Sequence, residues 1–198
     1  MKIFLVLAHP SPQSFNHALA HAARARLESL GHDVVFHDLY AEDFDPVLPA
    51  AEIHEDAALP ENVSCHCRQI AATDGIVVVH PNWWGQPPAV LTGWVDRVIR
   101  PGVAYRFLEG DSGEGVPLGL LKARAAVVLN TSNTRPERER GVFHDPLDTI
   151  WKNCIFGLCG VPVVVRKTFG VVVESTQEQR EKWLVEAGDM MEKVFPAQ

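Results

Sequence analysis

The sequence predicts an α/β fold in which a doubly wound, five-stranded parallel sheet carries helices on both faces. Apolar runs of strand length alternate with helix-length segments along the whole chain, and strands that alternate with helices in this way build parallel sheets. One run, residues 76–79, is entirely β-branched, which is typical of a strand buried on both faces. The 198 residues suffice for a sizeable core, so we expect a single domain over residues 1–198.

The first half of the chain opens with a strand, a helix and a second strand. Residues 3–8 form an apolar run that predicts strand one. Residues 15–30 carry an apolar stripe at helical spacing, and Gly31 ends that helix. Residues 33–39 predict strand two. A long acidic connection over residues 40–60 follows, and a connection of that length is usually functional or partly structured.

The centre of the chain repeats the pattern. Residues 61–73 predict a helix, and residues 75–79 predict strand three. Pro81 cannot donate to a sheet ladder, so this strand should end there. A helix can begin at the proline pair before residue 89, and its apolar positions run over residues 88–99. Asp96 and Arg97 are adjacent on that helix and face apart, which favours a capping role or a partner contact.

The second half supplies the last two strands. A glycine-rich stretch with a small extended piece precedes them. Thr176 is a good N-cap for the final helix, and Gln179 completes a capping-box pattern. The remaining predicted segments are the extended piece 103–107, strand four at 125–130, a helix at 147–159, strand five at 161–173 with a bend at Gly170, and the final helix at 176–195.

Two nucleotide-binding folds are disfavoured by missing motifs. No GxGxxG follows strand one, and no GxxxxGK[ST] occurs in the sequence. The remaining common doubly wound sheet has the order 2-1-3-4-5, the flavodoxin-like order. Its ligand binds beyond the carboxyl ends of the strands, at the switch between strands one and three.

Composition excludes several partners. The formal net charge is −7 and no cluster of Lys or Arg stands out, so nucleic acid is not expected as a partner. No apolar run approaches the roughly 20 residues of a membrane span, so we expect no membrane insertion. The amino terminus reads poorly as a signal peptide, and the cytoplasm is the expected location.

Cysteine and histidine spacing predicts no metal site. The four cysteines do not form a disulfide framework in a chain of this size. The Cys65-His66-Cys67 sequence invites a metal interpretation, but its thiols would diverge on a helix and ordinary helix residues explain it better. His17 and His21 share a helical face without the Glu of an HExxH motif, so a solvated pair is the better interpretation.

Three loops that leave strands one, three and four should meet at one rim of this sheet. The first loop, residues 8–16, opens directly into a helix, whose first turn has unpaired N–H groups and a partial positive charge. Ser14 and Asn16 add side-chain donors, and His9 offers a donor or a positive charge. An ordinary N-cap would explain Ser14 and Asn16 alone. The whole loop favours an anion site, such as one for a phosphate.

The second loop contains two adjacent tryptophans, Trp83 and Trp84, at the end of a buried strand. They could pack on a neighbouring helix or on a partner subunit. Alternatively, one of them and the backbone of residues 81–85 line a flat ring, because a flavin needs apolar cover on its face and hydrogen bonds at its edge. The third loop begins with four small polar residues. Solvation explains many such loops, so alone it is a weak signal for a donor-rich site.

The order and spacing of four motifs resemble the NAD(P)H dehydrogenase (quinone) family of flavodoxin-like flavoproteins. This family includes mammalian quinone reductases, bacterial modulators of drug activity, and ancillary subunits of glutathione-gated potassium efflux systems. The resemblance covers residues 2 to about 173. The motifs are AHPSPQSFN at 8–16, the tryptophan loop with PPAVLTGWVDRV up to residue 98, RPGVAY at 100–105 and FGLCG at 156–160.

The resemblance implies bound FAD or FMN, with FAD favoured, a homodimer, and reduction by two electrons. It also implies site residues, position by position. The flavin-phosphate loop matches His9, Ser14, Phe15 and Asn16; the loop beside the isoalloxazine matches Pro81, Asn82, Trp83, Trp84 and Gly85; and the loop over the pyrimidine edge matches Thr131, Ser132, Asn133 and Thr134.

The third loop departs from the mammalian pattern, which has Gly-Gly there and a Tyr and a His beyond it. Here Glu139 lies near the Tyr position, and His144 only roughly matches the His. The long carboxyl extension of the mammalian enzymes is also missing, which leaves FAD and FMN both open. His144 is the candidate catalytic donor to the reduced flavin, and backbone N–H groups of residues 131–134 are the alternative.

The main hypothesis is therefore a flavin-dependent NAD(P)H oxidoreductase that reduces a quinone or related acceptor. One shared pocket for the nicotinamide nucleotide and the acceptor predicts ping-pong kinetics. Two other functions remain open. One is a regulatory subunit that binds flavin and nucleotide and docks on a membrane transporter, with the acidic 40–60 connection as its contact. The other is a simple electron carrier, which would need no nicotinamide site.

Overall fold

The computed structural model describes residues 1–108, 110 and 115–197, and it contains the predicted parallel sheet. Five strands lie in the order β2-β1-β3-β6-β7, and every neighbouring pair among them is parallel. Counting only the strands of this sheet, the order is 2-1-3-4-5, so the predicted flavodoxin-like fold is confirmed. The glycine-rich stretch predicted after residue 100 lies partly outside the described residues.

The elements follow one another as the sequence predicts, with small differences in bounds. The strands are β1 (Lys2–Leu7), β2 (Asp33–Asp38), β3 (Gly75–Pro81), β4 (Tyr105–Arg106), β5 (Leu118–Gly119), β6 (Ala125–Thr131) and β7 (Val164–Phe169). The helices are α1 (Phe15–Ser29), α2 (Glu61–Ala71), α3 (Ala89–Val98), α4 (Pro136–Gly141), α5 (Pro146–Thr149), which continues as a π-helical segment (Ile150–Gly157), and α6 (Gln177–Val194).

Both faces of the sheet are covered, and successive residues of β1 point alternately to the two sides. Phe4 and Val6 belong to the core beneath α2, α3 and the π-helical segment. Leu5 and Leu7 belong to the core beneath α1 and α6. This two-sided burial explains the near-continuous apolar runs of the central strands.

Three parts of the fold differ from the expectation. Strand five was predicted over residues 161–173, but β7 covers only Val164–Phe169. Its ladder partner β6 ends at Thr131, which lies opposite Phe169, so the chain beyond has no strand to pair with. The polar segment after β6 forms the short helix α4, and the helix predicted over residues 147–159 is π-helical over Ile150–Gly157. The predicted small extended piece is confirmed as β4, which pairs antiparallel with β5.

The acidic 40–60 connection is anchored on α3 rather than free. Glu52, in a 3₁₀ turn over Ala50–Glu52, pairs with Arg97 at 2.6 Å, and both side chains are buried. Gly93 allows the close approach, because a Cβ atom there would lie 2.0 Å from the carbonyl oxygen of Pro46. The expected capping or partner role of Arg97 was therefore wrong: it holds its own chain in place.

Within the described residues, no helix is a candidate for crossing a membrane. None of their helices combines the length and the hydropathy that crossing a bilayer requires.

Candidate cofactor-binding site

The three predicted loops leave the same edge of the sheet from adjacent strands. The amide of Ala8 donates to the carbonyl of Val79 at 2.9 Å, which joins the ends of β1 and β3. The amide of Asn82 donates to the carbonyl of Thr131 at 2.6 Å, which joins the ends of β3 and β6. The loops that begin at residues 8, 82 and 132 therefore share one rim, as the sheet order requires.

The first loop ends in a well-formed helix N-terminus. The Ser14 hydroxyl oxygen accepts from the amide of His17 at 3.3 Å and caps α1. The same hydroxyl lies 2.9 Å from Nδ1 of His17, whose Nε2 lies 2.9 Å from Asp38. This chain of contacts orients Ser14 towards the first turn, where the amides of residues 15 and 16 have no intrahelical acceptor. The Phe15 ring packs on Trp183 of α6, so only its backbone can face a phosphate.

His9 lies beside this helix terminus, with its ring centroid 6.3 Å from that of His17. Its Nδ1 lies 3.1 Å from the amide nitrogen of Ser11 and 3.3 Å from the Ser11 carbonyl oxygen, so it can accept from the first or donate to the second. Burial lowers the pKa of His9, against a backbone contact with Ser11 that raises it. Its ring centroid lies 5.9 Å from that of Trp83, so the first and second loops touch.

The second loop presents its two indoles differently. Asn82 accepts from the amide of Gly85 at 3.0 Å and closes a tight turn, in which Trp84 has a left-handed φ of 59°. The Trp84 side chain is 98% exposed, whereas Trp83 is 40% exposed and lies against His9. An indole held almost wholly in solvent by a strained turn has no packing role in this chain, which favours a role in contact with a ligand.

The third loop is tied to the first by a buried side-chain contact. The Asn16 side chain, 3% exposed, donates to the Thr131 hydroxyl at 3.0 Å. Beyond it, the Ser132 hydroxyl accepts from the amide of Thr134 at 3.0 Å, and the Asn133 side chain accepts from the amide of Val173 at 3.0 Å. Asn16 therefore holds two loops together, a contact that sequence reasoning missed.

A pocket of about 850 Å³ opens between the second and third loops, and we call it the Trp84 pocket. Its volume is within the range of cofactor and drug-sized sites. Its walls include Asn82, Trp84, Gly85, Asn133, Thr134, Arg138, Glu139 and Phe143. Arg138, Glu139 and Phe143 were not predicted to line this site, because the sequence showed no helix there. They lie on α4 and on the turn after it.

His144 lies outside the Trp84 pocket. It is exposed, has a left-handed φ of 60°, and borders a shallow depression with Arg140 and Asp148. Glu139 is the acidic residue on the wall of the Trp84 pocket, and it is 7% exposed. A catalytic role for His144 stays a prediction, which its position does not favour.

A second histidine, His80, supports the rim from inside. It is fully buried at the end of β3, donates from Nδ1 to the carbonyl of Pro81 at 2.8 Å, and accepts from the Trp151 indole at 3.0 Å. Burial lowers its pKa to about 4, against the Pro81 contact that raises it. His80 is therefore neutral near pH 7 and braces Pro81, one of the predicted site residues.

The donor set of the rim fits a phosphorylated flat ring such as a flavin. The N-terminus of a 15-residue helix and the Ser14 hydroxyl suit a phosphate. The ring N–H of His9 and the backbone of the second and third loops suit the polar edge of a ring. Exposed Trp84 suits its face. The assignment of these residues to cofactor binding stays a prediction.

One cluster outside the rim has the composition of a metal site. Nitrogen atoms of His37 and His66 and a Glu42 oxygen lie within 4.8 Å of one another. However, the Trp94 indole donates to Nδ1 of His66 at 2.9 Å, which places the hydrogen of a neutral His66 on Nε2, facing Glu42 at 3.1 Å. That atom has no lone pair for a metal. The geometry instead describes a hydrogen-bonded network centred on the Glu42 carboxylate.

Comparisons with known proteins agree with this geometry. A family model described as a flavodoxin-like fold matches residues 1–191. An uncharacterised NAD(P)H oxidoreductase of Haemophilus influenzae is 33% identical, over 86% of this chain and 84% of its own. Ribosyldihydronicotinamide dehydrogenase [quinone] of Rattus norvegicus is 28% identical, over 92% and 87%.

A solved structure is also similar along nearly its whole length. The NAD(P)H:quinone oxidoreductase of Methanothermobacter marburgensis superposes with a TM-score of 0.81 at 27% identity. The match covers 98% of this chain and 96% of that one.

Proposed function

The chain belongs to the flavodoxin-like fold family, and on that premise we propose that it is a flavin-dependent NAD(P)H oxidoreductase acting on quinones or related acceptors. The names of its relatives support the reaction class. The observation that carries the proposal is the joining of three strand-end loops at one rim, beside a free helix N-terminus and an exposed indole.

The residues of the rim would bind and orient the cofactor, FAD or FMN. The amides of the first turn of α1, with Ser14, hold its phosphate; His9 and the backbone of loops two and three hold the ring edge; Trp84 covers a face. Bound flavin supplies the hydride-transfer chemistry, which no side chain here provides. Asn16 positions the first and third loops relative to each other through Thr131.

The part of the Trp84 pocket that the flavin ring leaves open would take the nicotinamide of NAD(P)H and the acceptor in turn, because both must reach that ring. One site used twice gives ping-pong kinetics. Parallel lines in double-reciprocal plots at several acceptor concentrations are expected, and intersecting lines would contradict the shared pocket.

We place this enzyme in the cytoplasm as a single domain that forms a homodimer. An apolar groove beside the β4–β5 hairpin supports self-association, because Val95, Tyr105 and Leu158 line it and Phe107 is 41% exposed. Light scattering of the purified protein tests the homodimer. A measured mass equal to that of one chain would contradict it.

The test of the function begins with the visible spectrum of the purified protein and chromatography of the released flavin, which also distinguishes FAD from FMN. Anaerobic NAD(P)H oxidation should then reduce one quinone per nucleotide. A protein that binds neither flavin fails the proposal. A protein that binds flavin but does not oxidise NAD(P)H supports the electron-carrier alternative.

A matched pair of variants ties the test to the rim. Asn16→Ala removes the contact with Thr131 and should weaken flavin retention without unfolding the sheet. Asn62→Ala, at an exposed position of α2, is the control and should retain the cofactor like the parent. If the two variants bind flavin with equal affinity, the cofactor does not bind at this rim.

A further inference from the structure

A second cavity of about 320 Å³ lies behind the Trp84 pocket, against the edge strand β7. We call it the Arg166 cavity. It is lined mainly by polar and charged side chains, including Glu139, Asp145, Arg166 and Thr168. Thr134 and Glu139 line both spaces, so the Trp84 pocket and the Arg166 cavity adjoin at these two residues.

Of the three cations that line this cavity, Arg140 is exposed, Lys167 pairs with Glu186, and Arg166 is paired within the cavity. Arg166 is 6% exposed at its side chain. It donates to the Asn130 side chain at 2.8 Å, to the Thr168 hydroxyl at 2.9 Å, to Asp148 at 3.3 Å and to Oδ2 of Asp145. Its N–H groups are directed at these four partners, so Arg166 is held in place. It makes no ion pair with the Glu139 carboxylate.

Two carboxylate oxygens in the same cavity are left without a donor. Oε1 of Glu139 and Oδ1 of Asp145 are buried, and neither has a hydrogen-bond partner among the described residues. The Glu139 residue is 7% exposed, and the described residues offer its carboxylate no ion pair. A buried carboxylate oxygen without a donor is costly, and these two oxygens can accept N–H groups from a molecule that enters the cavity.

We propose that the Arg166 cavity is a subsite for an N–H-donor cation, an amidinium or a primary ammonium, on an aromatic molecule whose ring lies in the Trp84 pocket. The cation donates to Glu139 and Asp145, since charge-assisted bonds to carboxylates are the strong ones. The ring meets Trp84 and Phe143, both exposed on the pocket wall. This inference rests on the proposed function. It implies that the enzyme prefers aromatic electron acceptors with a protonated amine or amidine arm.

The first experiment measures binding alone, by calorimetry on the protein as purified. Benzamidinium, acetophenone and benzoate carry the same ring with a cation, a neutral group or an anion. Benzamidinium should bind roughly tenfold tighter or more than the other two, the usual effect of a charged hydrogen bond. Equal affinities, or a preference for benzoate directed by nearby Arg140 and Lys167, would overturn the proposal.

Two variants on α4 locate the effect. Glu139→Gln keeps the side-chain size and removes the charge, so it should abolish the preference for benzamidinium. Glu137→Gln, exposed on the same helix, should keep it. A preference that survives in Glu139→Gln refutes the assignment. If Glu139→Gln does not fold, as its thermal transition will show, the comparison of the three probes on the parent protein decides alone.

A second experiment compares two quinones with NAD(P)H as donor, one with an aminoalkyl arm and one with a neutral arm of equal length. The amine should lower KM by about the same factor and leave kcat unchanged, because the contact is made before reaction. Turnover with equal KM values overturns the inference and leaves the proposed function intact. No turnover with either quinone fails the proposed function, while the binding experiment still tests the cavity.

Discussion

The stability of this protein should fall between pH 7.5 and pH 5, and His80 should cause a defined part of that fall. The side chain is fully buried and accepts the Trp151 indole N–H, so it must stay neutral in the folded protein. Its pKa is about 4 when folded and near 6.5 when unfolded. The unfolded chain therefore binds more protons between these values, and stability is lost as pH falls through them.

The size of the effect follows from the two pKa values. The contribution of His80 to the free energy of unfolding is present above pH 6.5 and would drop by about 3 kcal/mol once pH is below 4. At pH 5 the expected loss is about 2 kcal/mol, while at pH 7.5 it is close to zero. Because the imidazole is buried, solvent screening does not reduce this figure.

Urea denaturation of the parent and of His80→Gln at several pH values measures this pH-dependent loss of unfolding free energy. A glutamine can accept from Trp151 and does not titrate, so His80→Gln should lose about 2 kcal/mol less than the parent between pH 7.5 and 5. His54→Gln, at an exposed position, should keep the parent's pH dependence. Equal slopes for the parent and His80→Gln would refute the reasoning.

Three further outcomes are expected. Glu52→Ala leaves Arg97 buried without its 2.6 Å partner and should cost about 3–5 kcal/mol of unfolding free energy in urea, whereas replacing both residues by apolar ones should cost much less. Trp84→Ala should change stability by under about 0.5 kcal/mol, because the indole is 98% exposed, yet weaken flavin binding roughly tenfold in a fluorescence titration. Burial raises the pKa of Glu42, but hydrogen bonds from its two histidines outweigh it and lower the pKa to about 2. Glu42→Gln should therefore be about 1 kcal/mol less stable at pH 7, after allowance for solvent exposure, and that deficit should vanish as pH falls from 4.5 towards 2.

The fold could be predicted from the sequence because the local signals agree with one another. The apolar runs of β1, β3 and β6 identify strands buried on both faces, and Pro81 marks the end of β3. Parallel neighbours then place the loops after these strands at one rim, without knowledge of any side-chain contact. Trp83 and Trp84 were expected to line a flat ring or to pack on a helix or a partner subunit, and Trp84 is almost wholly exposed.

The site was less predictable because its decisive contacts join residues far apart in sequence. Asn16 bonds Thr131 across 115 positions, and Arg97 bonds Glu52 across 45. The segment RPERER has no apolar stripe, so neither helix α4 nor the burial of Glu139 follows from its pattern. A histidine near the family position drew attention to His144, but His144 does not line the Trp84 pocket, although its neighbours Phe143 and Pro146 do.

The 40–60 connection is attached to α3 at two points. Gly93 sits under the Pro46 backbone, and Arg97 grips Glu52 further along. A protease can reach Val47, which is 67% exposed, but a nick there would leave both halves fastened. The cut protein would migrate as one species on a native gel and as two fragments in detergent. Any outside protein that engages this segment must do so on its solvent side, since the other side is already taken by the molecule itself.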